Sequence, residues 1–476
     1  MALWRSTVIV SAMTMLSRVL GLVRDIVLLN VFGAGKDFDT FVVAFRIPNF
    51  FRRLFAEGAF SQAFIPVLTE YKTGRTHAEV QILISRVFGC LMTVMTALTF
   101  IAMVAAPAVL YIYAPGFHAD PEKFDLAVSM FRLTIPYLLF MSLTAFASSI
   151  LNSYGSFASP AFSPVLLNVA MIAGAWWLTP YMAEPIMALG WAVIAAGVLQ
   201  LAIQIPELWH KKLLIPPKVD FKHEGVDRIM KLMLPALFGV SVTQINLLLN
   251  TIWASFMQDG SVSWLYSAER MTELPLGLIG VAIGTVILPA LSTRHAEQDM
   301  SKFRGMMDWA AKVIVLVGVP ASIALFMLST PIIQALFQRG QFTLEDTQMT
   351  ALALQCMSAG VISFMLIKVF APGFYAQQDT KTPVRVGLMA VAANAILNVV
   401  FIGFFKLIDW QAEHMALALA SSGSALVNAG MLYFYLHKRD IFRFGAHWKK
   451  LFIQFGISNA VMIVALWYAL TWYKGD

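Results

Sequence analysis

Charge is scarce in this chain of 476 residues. Only 13% of the residues are Asp, Glu, Lys or Arg, and 59% are hydrophobic, whereas about 25% of the residues in an ordinary soluble domain are charged. A soluble fold of this composition would aggregate. Many apolar stretches reach the roughly 20 residues that cross about 30 Å of hydrocarbon. The composition therefore predicts an integral membrane protein with no sizeable aqueous domain.

The sequence also lacks the usual motifs of enzymes and of disulfide-rich proteins. Cys90 and Cys356 are the only cysteines, and each lies in an apolar run, which excludes a disulfide framework and a CxxC metal site. No GxxxxGK[ST] phosphate loop, no HExxH motif and no DxxD cluster occurs. We therefore predict no enzymatic activity, no metal site and no bound cofactor. A membrane potential or an ion gradient is the expected driving force.

Hydropathy, together with the positions of Pro, Gly and charge clusters, predicts thirteen membrane helices. They lie near residues 5–31, 38–67, 79–110, 126–152, 160–181, 186–208, 226–257, 263–292, 304–328, 347–375, 384–405, 413–437 and 448–473. With these spans, about 18 Lys and Arg residues fall on one side and about 5 on the other, which places the N-terminus in the cytoplasm. Basic loops that face anionic lipid account for the net charge of +7, so no nucleic-acid partner is predicted.

A weak internal repeat relates the two halves of the chain. The segment FIPVLT that begins at Phe64 resembles ILPALS, which begins at Ile287, about 223 residues later. Six helices fit in one period, so corresponding helices run in the same direction, as in transporters with parallel repeats. We predict an all-α polytopic membrane protein with two six-helix lobes, residues 1–215 and 216–440, and an extra C-terminal helix in 441–476. Chance similarity between Leu- and Pro-rich segments is the alternative.

Charged side chains occur inside several predicted helices, where each costs at least about 2.5 to 3.5 kcal/mol at the bilayer centre. In the first helix, a polar stripe contains Thr14, Ser17, Arg18, Gly21, Arg24 and Asp25. The second helix contains Arg46, Asn49, Arg52, Arg53 and Glu57, the eighth contains Ser263, Tyr266, Arg270 and Glu273, and the tenth contains Lys368. A central cationic cavity would keep these arginines from lipid and would suit a phosphorylated solute. The alternative is that carboxylates neutralise them between helices, or that they snorkel to headgroups.

Several blocks of sequence resemble one known family. They are SRVLG with Arg24-Asp25, Pro48-Asn49 followed by RRLFAEGAF, GSVSW from Gly260, and Lys368 followed by APGFY and QDTKTP. Over essentially the whole chain the sequence resembles the MurJ (MviN) lipid II flippases, which belong to the multidrug/oligosaccharidyl-lipid/polysaccharide exporter superfamily. Family members carry undecaprenyl-diphosphate-linked disaccharide-pentapeptide across the bacterial inner membrane for cell-wall synthesis. The family typically has fourteen helices, of which the last two form a groove for the lipid tail, so residues 441–476 offer a possible groove.

The resemblance implies a lipid II flippase of the inner membrane that works by alternating access. It implies lipid II and membrane lipids as partners, and a monomer is expected. Substrate binding is implied for Arg18, Arg24, Arg52 and Arg270, and substrate binding or gating for Ser17, Asp25, Asp39, Asn49, Arg53, Glu57, Ser263, Glu273 and Lys368. An exporter of another lipid-linked oligosaccharide or of small drugs is the alternative within the superfamily. A scaffold without transport activity would leave the intramembrane arginines unexplained.

Overall fold

The protein is helical in every part that the structure describes. The computed structural model describes residues 2–56, 59–445 and 447–473, with side chains at these positions except residues 2–9, 53–56, 59, 234–244, 278, 281, 282, 285 and 473. No strand occurs in these ranges. Nine helical segments among the described residues are long and apolar enough to cross a membrane. The predicted all-α polytopic membrane fold is therefore confirmed.

The helices follow one another with short connections. In chain order they are α1 (Ala2–Phe32), α2 (Lys36–Ala56), α3 (Ala59–Gly74), α4 (His77–Val104), α5 (Ala106–Tyr113), α6 (Pro121–Thr134), α7 (Tyr137–Ser153), α8 (Ala158–Ala173), α9 (Met187–Ala202), α10 (Ile205–His210), α11 (Glu224–Ala254), α12 (Ser261–Pro275), α13 (Val281–Ala296), α14 (Met300–Met327), α15 (Ser329–Phe337), α16 (Leu344–Tyr375), α17 (Lys381–Leu407), α18 (His414–Lys438) and α19 (His447–Tyr473). Single π-helical turns extend α8 over Gly174–Leu178 and join α12 to α13 over Leu276–Gly280.

Within the described residues, each of the thirteen predicted spans coincides with one helix or with two consecutive helices. One break follows α4, because Pro107 in the first turn of α5 has no N–H with which to continue the hydrogen-bond ladder of the preceding helix. The predicted spans near 5–31, 38–67, 226–257 and 263–292 are largely helical in their described residues, but each contains residues whose side chains are not described. The total of thirteen membrane spans stays a prediction.

The internal repeat extends to the order and spacing of the helices. The helices α4, α5, α6 and α8 have counterparts in α14, α15, α16 and α17, and in each pair the second helix begins 223 residues after the first. Even the short helix α5, which follows α4 after one residue, has its counterpart in α15. The repeat therefore does not arise by chance from similar composition. The arrangement of two lobes around a central cationic cavity stays a prediction, as do the proposed domain boundaries.

The chain forms two compact units. The first comprises residues 1–244 with the short segments 258–262 and 339–342, and the second comprises the remaining residues. In the first unit, α1 packs on α8, while α2 packs on α6 and α7. A buried polar network joins α7 to α9, where Tyr137 donates to Gln200 and Gln204 contacts Ser148. Polar contacts of this kind hold membrane helices together because lipid offers no competing partner.

The second unit has its core around α16, which packs on α13, α14 and α18. Phe303, Met307, Ile314, Met365 and Phe374 are fully buried there. A small residue lets two helices approach closely, because a Cβ at Gly360 of α16 would overlap the backbone and hydroxyl of Ser422 in α18. Close backbone approach at small residues is the usual basis of helix packing in membranes.

The last helix, α19, is attached to the second unit by its first turn. The buried indole of Trp448 donates from Nε1 to the carboxylate of Asp308 in α14, at 2.6 Å, and His447 lies 3.1 Å from the same oxygen. Farther along, Ile457, Val461, Val464 and other apolar side chains of α19 are exposed. Polar anchoring at one end and an apolar face beyond it suit a helix that contacts lipid.

We expect Asp308→Ala to destabilise the protein, because the buried Trp448 N–H would lose its acceptor at a cost of about 1–3 kcal/mol. The midpoint of thermal unfolding in detergent should fall. Asp125→Ala is the matched control, since Asp125 is exposed on α6. Equal midpoints for the two variants would show that the Asp308 contact does not stabilise α19.

Candidate functional site

The polar stripe of α1 contains a buried ion pair. Arg24 is only 6% exposed, and its Nη2 and Nε lie 2.6 and 2.9 Å from Oδ1 of Asp25. Its Nη1 donates to Oδ1 of Asn168 in α8, at 3.0 Å, and the Asn168 amide donates in turn to the carbonyl of Ser17. Gly21 lies beside the same contact, where a Cβ would be 3.9 Å from the Asn168 amide. Arg24 thus joins α1 to α8 and has its charge neutralised beside it.

Arg18 differs from Arg24 although both belong to the same stripe. Its side chain is exposed, and within the described ranges no hydrogen bond or ion pair of Arg18 is found. An exposed guanidinium has no buried ion pair to break before it binds an anion. The sequence grouped the two arginines by helical periodicity, whereas the structure separates an accessible cation from a buried one.

The second group of predicted residues lies on α2. The Nε of Arg52 donates to Oδ1 of Asn49, at 2.8 Å, one turn earlier. Both side chains are half-buried, and so is that of Arg46. The side chain of Arg53 and all of Glu57 lie outside the described residues. Pro48 lies inside the continuous helix, where it removes one backbone donor.

The third group lies on α12 and belongs to the second unit. Arg270 Nη1 lies 2.9 Å from Oε2 of Glu273, its Nη2 donates to the Tyr266 hydroxyl at 3.2 Å, and its guanidinium lies over the Tyr266 ring. The Arg270 side chain is 30% exposed. Ser263 is fully buried one turn before Tyr266. The π-helical turn that follows Pro275 is a type of irregularity common near functional sites in membrane and soluble helices.

Lys368 in α16 is exposed. The block QDTKTP that follows it, residues 378–383, connects α16 to α17 and contacts the end of α18. Asp379 in the loop after α16 accepts hydrogen bonds from the hydroxyl and backbone N–H of Thr382, and it pairs with Arg439 at 2.6 Å. Burial alone would raise the pKa of Asp379, but these bonds from Thr382 and Arg439 lower it to about 2. The carboxylate therefore stays ionised and fastens the start of α17 to the end of α18.

Asp39 forms a charge cluster with residues that the sequence gave no reason to group. Its Oδ2 accepts from the backbone N–H of Gly260 at 2.8 Å and lies 3.3 Å from Nζ of Lys123. That ammonium lies 2.6 Å from Asp259 and over the ring of Phe117. Asp39 and Lys123 are both buried. Partners so far apart in sequence share no periodicity, so no sequence pattern could have found them.

The charge cluster of Asp39, Lys123 and Asp259 fixes segment 258–262 within the first unit. Gly260 has a φ of 93°, a conformation that glycine adopts without strain. Segment 339–342 is held in the same unit by a hydrogen bond of 2.8 Å from the Gln341 N–H to the Asn30 carbonyl. Two short segments from the second half of the sequence thus belong to the first unit.

A buried amide cluster lies in the second unit. Asn398 donates from Nδ2 to Asn250 and to Asn394, at 3.1 Å each, and Asn250 donates to Ser421 at 2.8 Å. These contacts join α11, α17 and α18. Among the described residues, no group of three or more His, Cys, Asp or Glu side chains could hold a metal ion.

The comparisons with known proteins agree with one another. A family model described as lipid II flippase MurJ matches residues 28–476. A probable lipid II flippase MurJ of Vibrio cholerae serotype O1 is 44% identical, and the match covers 98% of this chain and 89% of the relative. A probable lipid II flippase MurJ of Haemophilus influenzae is 45% identical, with 98% and 93% covered. The lipid II flippase MurJ of Burkholderia cenocepacia is 40% identical, with 98% and 89% covered.

Solved structures give the same result. A lipid II flippase MurJ in an inward closed conformation has a TM-score of 0.82 and 26% identity, with 97% of this chain and 93% of that chain covered. An inward-facing multidrug resistance transporter of the MATE family has a TM-score of 0.70 at 12% identity, with 91% and 97% covered. The second likeness shows a shared fold alone.

We expect Asn168→Ala to weaken the attachment of α1 to α8. The substitution removes the acceptor of Arg24 Nη1 and the donor to Ser17, and an unsatisfied buried group costs about 1–3 kcal/mol. The thermal midpoint should fall, while Asn152→Ala, at a half-buried position near the end of α7, should leave it unchanged. If Asn168→Ala unfolds at the wild-type temperature, Arg24 does not depend on this contact.

Proposed function

The chain belongs to the lipid II flippase MurJ family, and from this premise we propose that it moves lipid II from the cytoplasmic to the periplasmic leaflet of the bacterial inner membrane. The match to the family over residues 28–476 is the observation that carries the proposal. A flippase relocates its substrate without covalent change, so the protein is a transporter and not an enzyme. It is a multi-pass protein of the inner membrane.

The arginines divide into two roles when their surroundings are compared. Breaking a buried ion pair by removing one partner costs about 3–5 kcal/mol, whereas an exposed pair contributes about 0–1 kcal/mol. Arg24 is therefore unsuited to leaving Asp25 for a substrate, and we assign it to positioning α1. Arg270 can exchange Glu273 for a phosphate oxygen at little cost. Arg18, Arg52 and Arg270 are the proposed ligands of the lipid II diphosphate, which their planar guanidinium groups suit.

Alternating access requires a barrier toward each side of the membrane, and the two barriers open in turn. We assign the charge cluster of Asp39, Lys123 and Asp259 to the barrier on the side where α1 ends and α6 begins. With the N-terminus in the cytoplasm, as the distribution of Lys and Arg favours, that side is the periplasm. The cluster holds segment 258–262, so its opening would release this segment. Asp39 then acts in gating, and Lys123 and Asp259 join it there.

The driving force follows from the charge of the substrate. An inside-negative potential favours outward movement of negative charge by about 2.3 kcal/mol per elementary charge per 100 mV. The protein needs no nucleotide for such a step. We propose that it acts as a monomer within membrane lipid, driven by the membrane potential or by an ion gradient.

The experiment that tests the function uses purified protein in liposomes. Labelled lipid II is added to one leaflet, and its accessibility at the opposite leaflet is followed with time. Transfer that depends on the protein supports the proposal, and transfer of a small cationic drug without lipid II would support the multidrug exporter instead. Absence of lipid II transfer by correctly folded protein would overturn it.

We expect Arg270→Ala to reduce the rate of lipid II transfer at least about tenfold, the loss that corresponds to 1.4 kcal/mol of binding or transition-state energy. Arg294→Ala is the matched control. Arg294 pairs with Glu297 three residues later, as Arg270 pairs with Glu273, and the two arginine side chains are 35% and 30% exposed. Equal transfer rates in the two variants would exclude a specific role for Arg270.

We expect Lys123→Met to open the barrier by leaving Asp39 and Asp259 without their shared cation. In a Ser261→Cys background, labelling by a membrane-impermeant maleimide should rise, because Ser261 is fully buried in the closed barrier. The native cysteines are buried and give little background. Lys36→Met serves as control, since Lys36 pairs with exposed Asp120 and Glu122. Unchanged labelling in Lys123→Met would show that the cluster does not close this side.

A further inference from the structure

The connection between α10 and α11 is not a free loop. We call residues 211–222 the strap, because they run along the side of α4 and form no helix of their own. The amide of Gln81 donates to the carbonyl of Lys212 at 2.8 Å, and the hydroxyl of Ser85 donates to the carbonyl of Pro216 at 2.7 Å. The N–H of Lys218 donates to the Ser85 carbonyl at 3.1 Å. The backbone of the strap is thus in register with one face of α4.

Two further contacts fix the far end of the strap. Gly89 continues the face formed by Gln81 and Ser85, and a Cβ at Gly89 would overlap the backbone of Lys218. Asp220 lies 3.7 Å from Arg86. The side of the strap that faces α4 is therefore fully occupied, and only its outer side is available to a partner.

The outer side carries both lysine and large apolar side chains. Lys212, Lys218 and Lys222 are exposed, and in the described part of the chain their ammonium groups make no hydrogen bond or ion pair. Val219 and Phe221 are 56% and 49% exposed. Apolar side chains next to uncompensated cations on one surface match the two chemical layers of a membrane interface.

The position of the strap along α4 indicates how deep the strap lies in the membrane. Arg86 is the last charged residue of α4, and the 18 residues 87–104 carry no charge. At 1.5 Å per residue they span about 27 Å, close to the thickness of the hydrocarbon. Gly89 lies about 3 Å inside this apolar stretch on the same scale. The strap beside Gln81, Ser85 and Gly89 therefore lies at the level of the headgroups, and its tip reaches the acyl boundary.

We propose that the strap is an interfacial anchor that binds acidic phospholipid headgroups of the adjacent leaflet. Lys212, Lys218 and Lys222 contact the phosphates, while Val219 and Phe221 enter the acyl boundary. Each basic residue beside an anionic membrane surface strengthens the attraction by about fivefold. The position of the strap at the level of the headgroups favours lipid over a cytoplasmic protein as its partner. A soluble protein would have to displace headgroups to reach Val219. The anchor is separate from the lipid II ligands and does not depend on their assignment.

A fluorophore attached to Val219→Cys tests the proposal. The protein is placed in phosphatidylcholine vesicles with a minority of phosphatidylglycerol, and quenching by doxyl-labelled phosphatidylglycerol is compared with quenching by doxyl-labelled phosphatidylcholine. We expect the acidic lipid to quench at least about threefold more strongly at low salt, and the ratio to fall toward one at high salt. Cys90 and Cys356 are buried, and protein without Val219→Cys gives the background.

Two triple variants separate a local site from a general effect of charge. Lys212→Gln, Lys218→Gln and Lys222→Gln together should remove the preference for the acidic lipid. The control combines Lys381→Gln, Lys438→Gln and Lys449→Gln, which are exposed lysines of the second unit, so both triples change the net charge equally. The control should keep the preference. Equal loss of the preference in both triple variants would overturn the proposal. So would equal quenching by the two lipids when the three lysines of the strap are present, or no quenching by either lipid.

Discussion

The structure depends on one constraint, the cost of placing a charged side chain where water is absent. At the centre of a bilayer that cost is at least about 2.5 to 3.5 kcal/mol, and two arrangements of cationic side chains occur among the described residues. Arg24 and Lys123 are buried beside carboxylates, at 2.6 Å from Asp25 and Asp259. Arg18 and Arg270 keep exposed surface instead. Buried pairs are costly to separate, whereas exposed cations remain available to an anion.

This division separates two arginines of one helix, since Arg24 is buried and paired with Asp25 whereas Arg18 is exposed. Helical periodicity places Arg18 and Arg24 on the same face of α1, and the sequence therefore assigned them the same role. What distinguishes them is Asn168, which lies 144 residues away on α8 and holds Arg24 Nη1. A carboxylate immediately next in sequence then completes the neutralisation. The difference in surroundings between the two arginines thus includes a contact with a residue that is distant in sequence.

The features that depend on local composition, namely the helices and their repeat, were predicted from the sequence. The helices coincide with the apolar runs, and the repeat interval of about 223 residues recurs in the starts of α14, α15, α16 and α17. The roles of Arg18, Arg52 and Arg270 in binding stay predictions from the family resemblance. Contacts between distant segments were beyond prediction. Lys123 was not among the predicted site residues, because its partners Asp39 and Asp259 lie 84 and 136 residues away.

The strap and the charge cluster together restrict where the chain can change shape. The strap is fixed to α4, and the start of α11 is held to the first unit by ion pairs of Arg228 with Glu70 and of Arg75 with Glu224. The first passage of the chain from the first unit to the second falls inside the continuous helix α11, between residues 244 and 245. It does not fall in the polar connection that precedes this helix. Since sharp bends in helices occur where the hydrogen-bond ladder is interrupted, a conformational change between residues 244 and 245 would require distortion of α11. Release of segment 258–262 would require breaking the ion pairs of Lys123 and the hydrogen bond from the Gly260 N–H to Asp39.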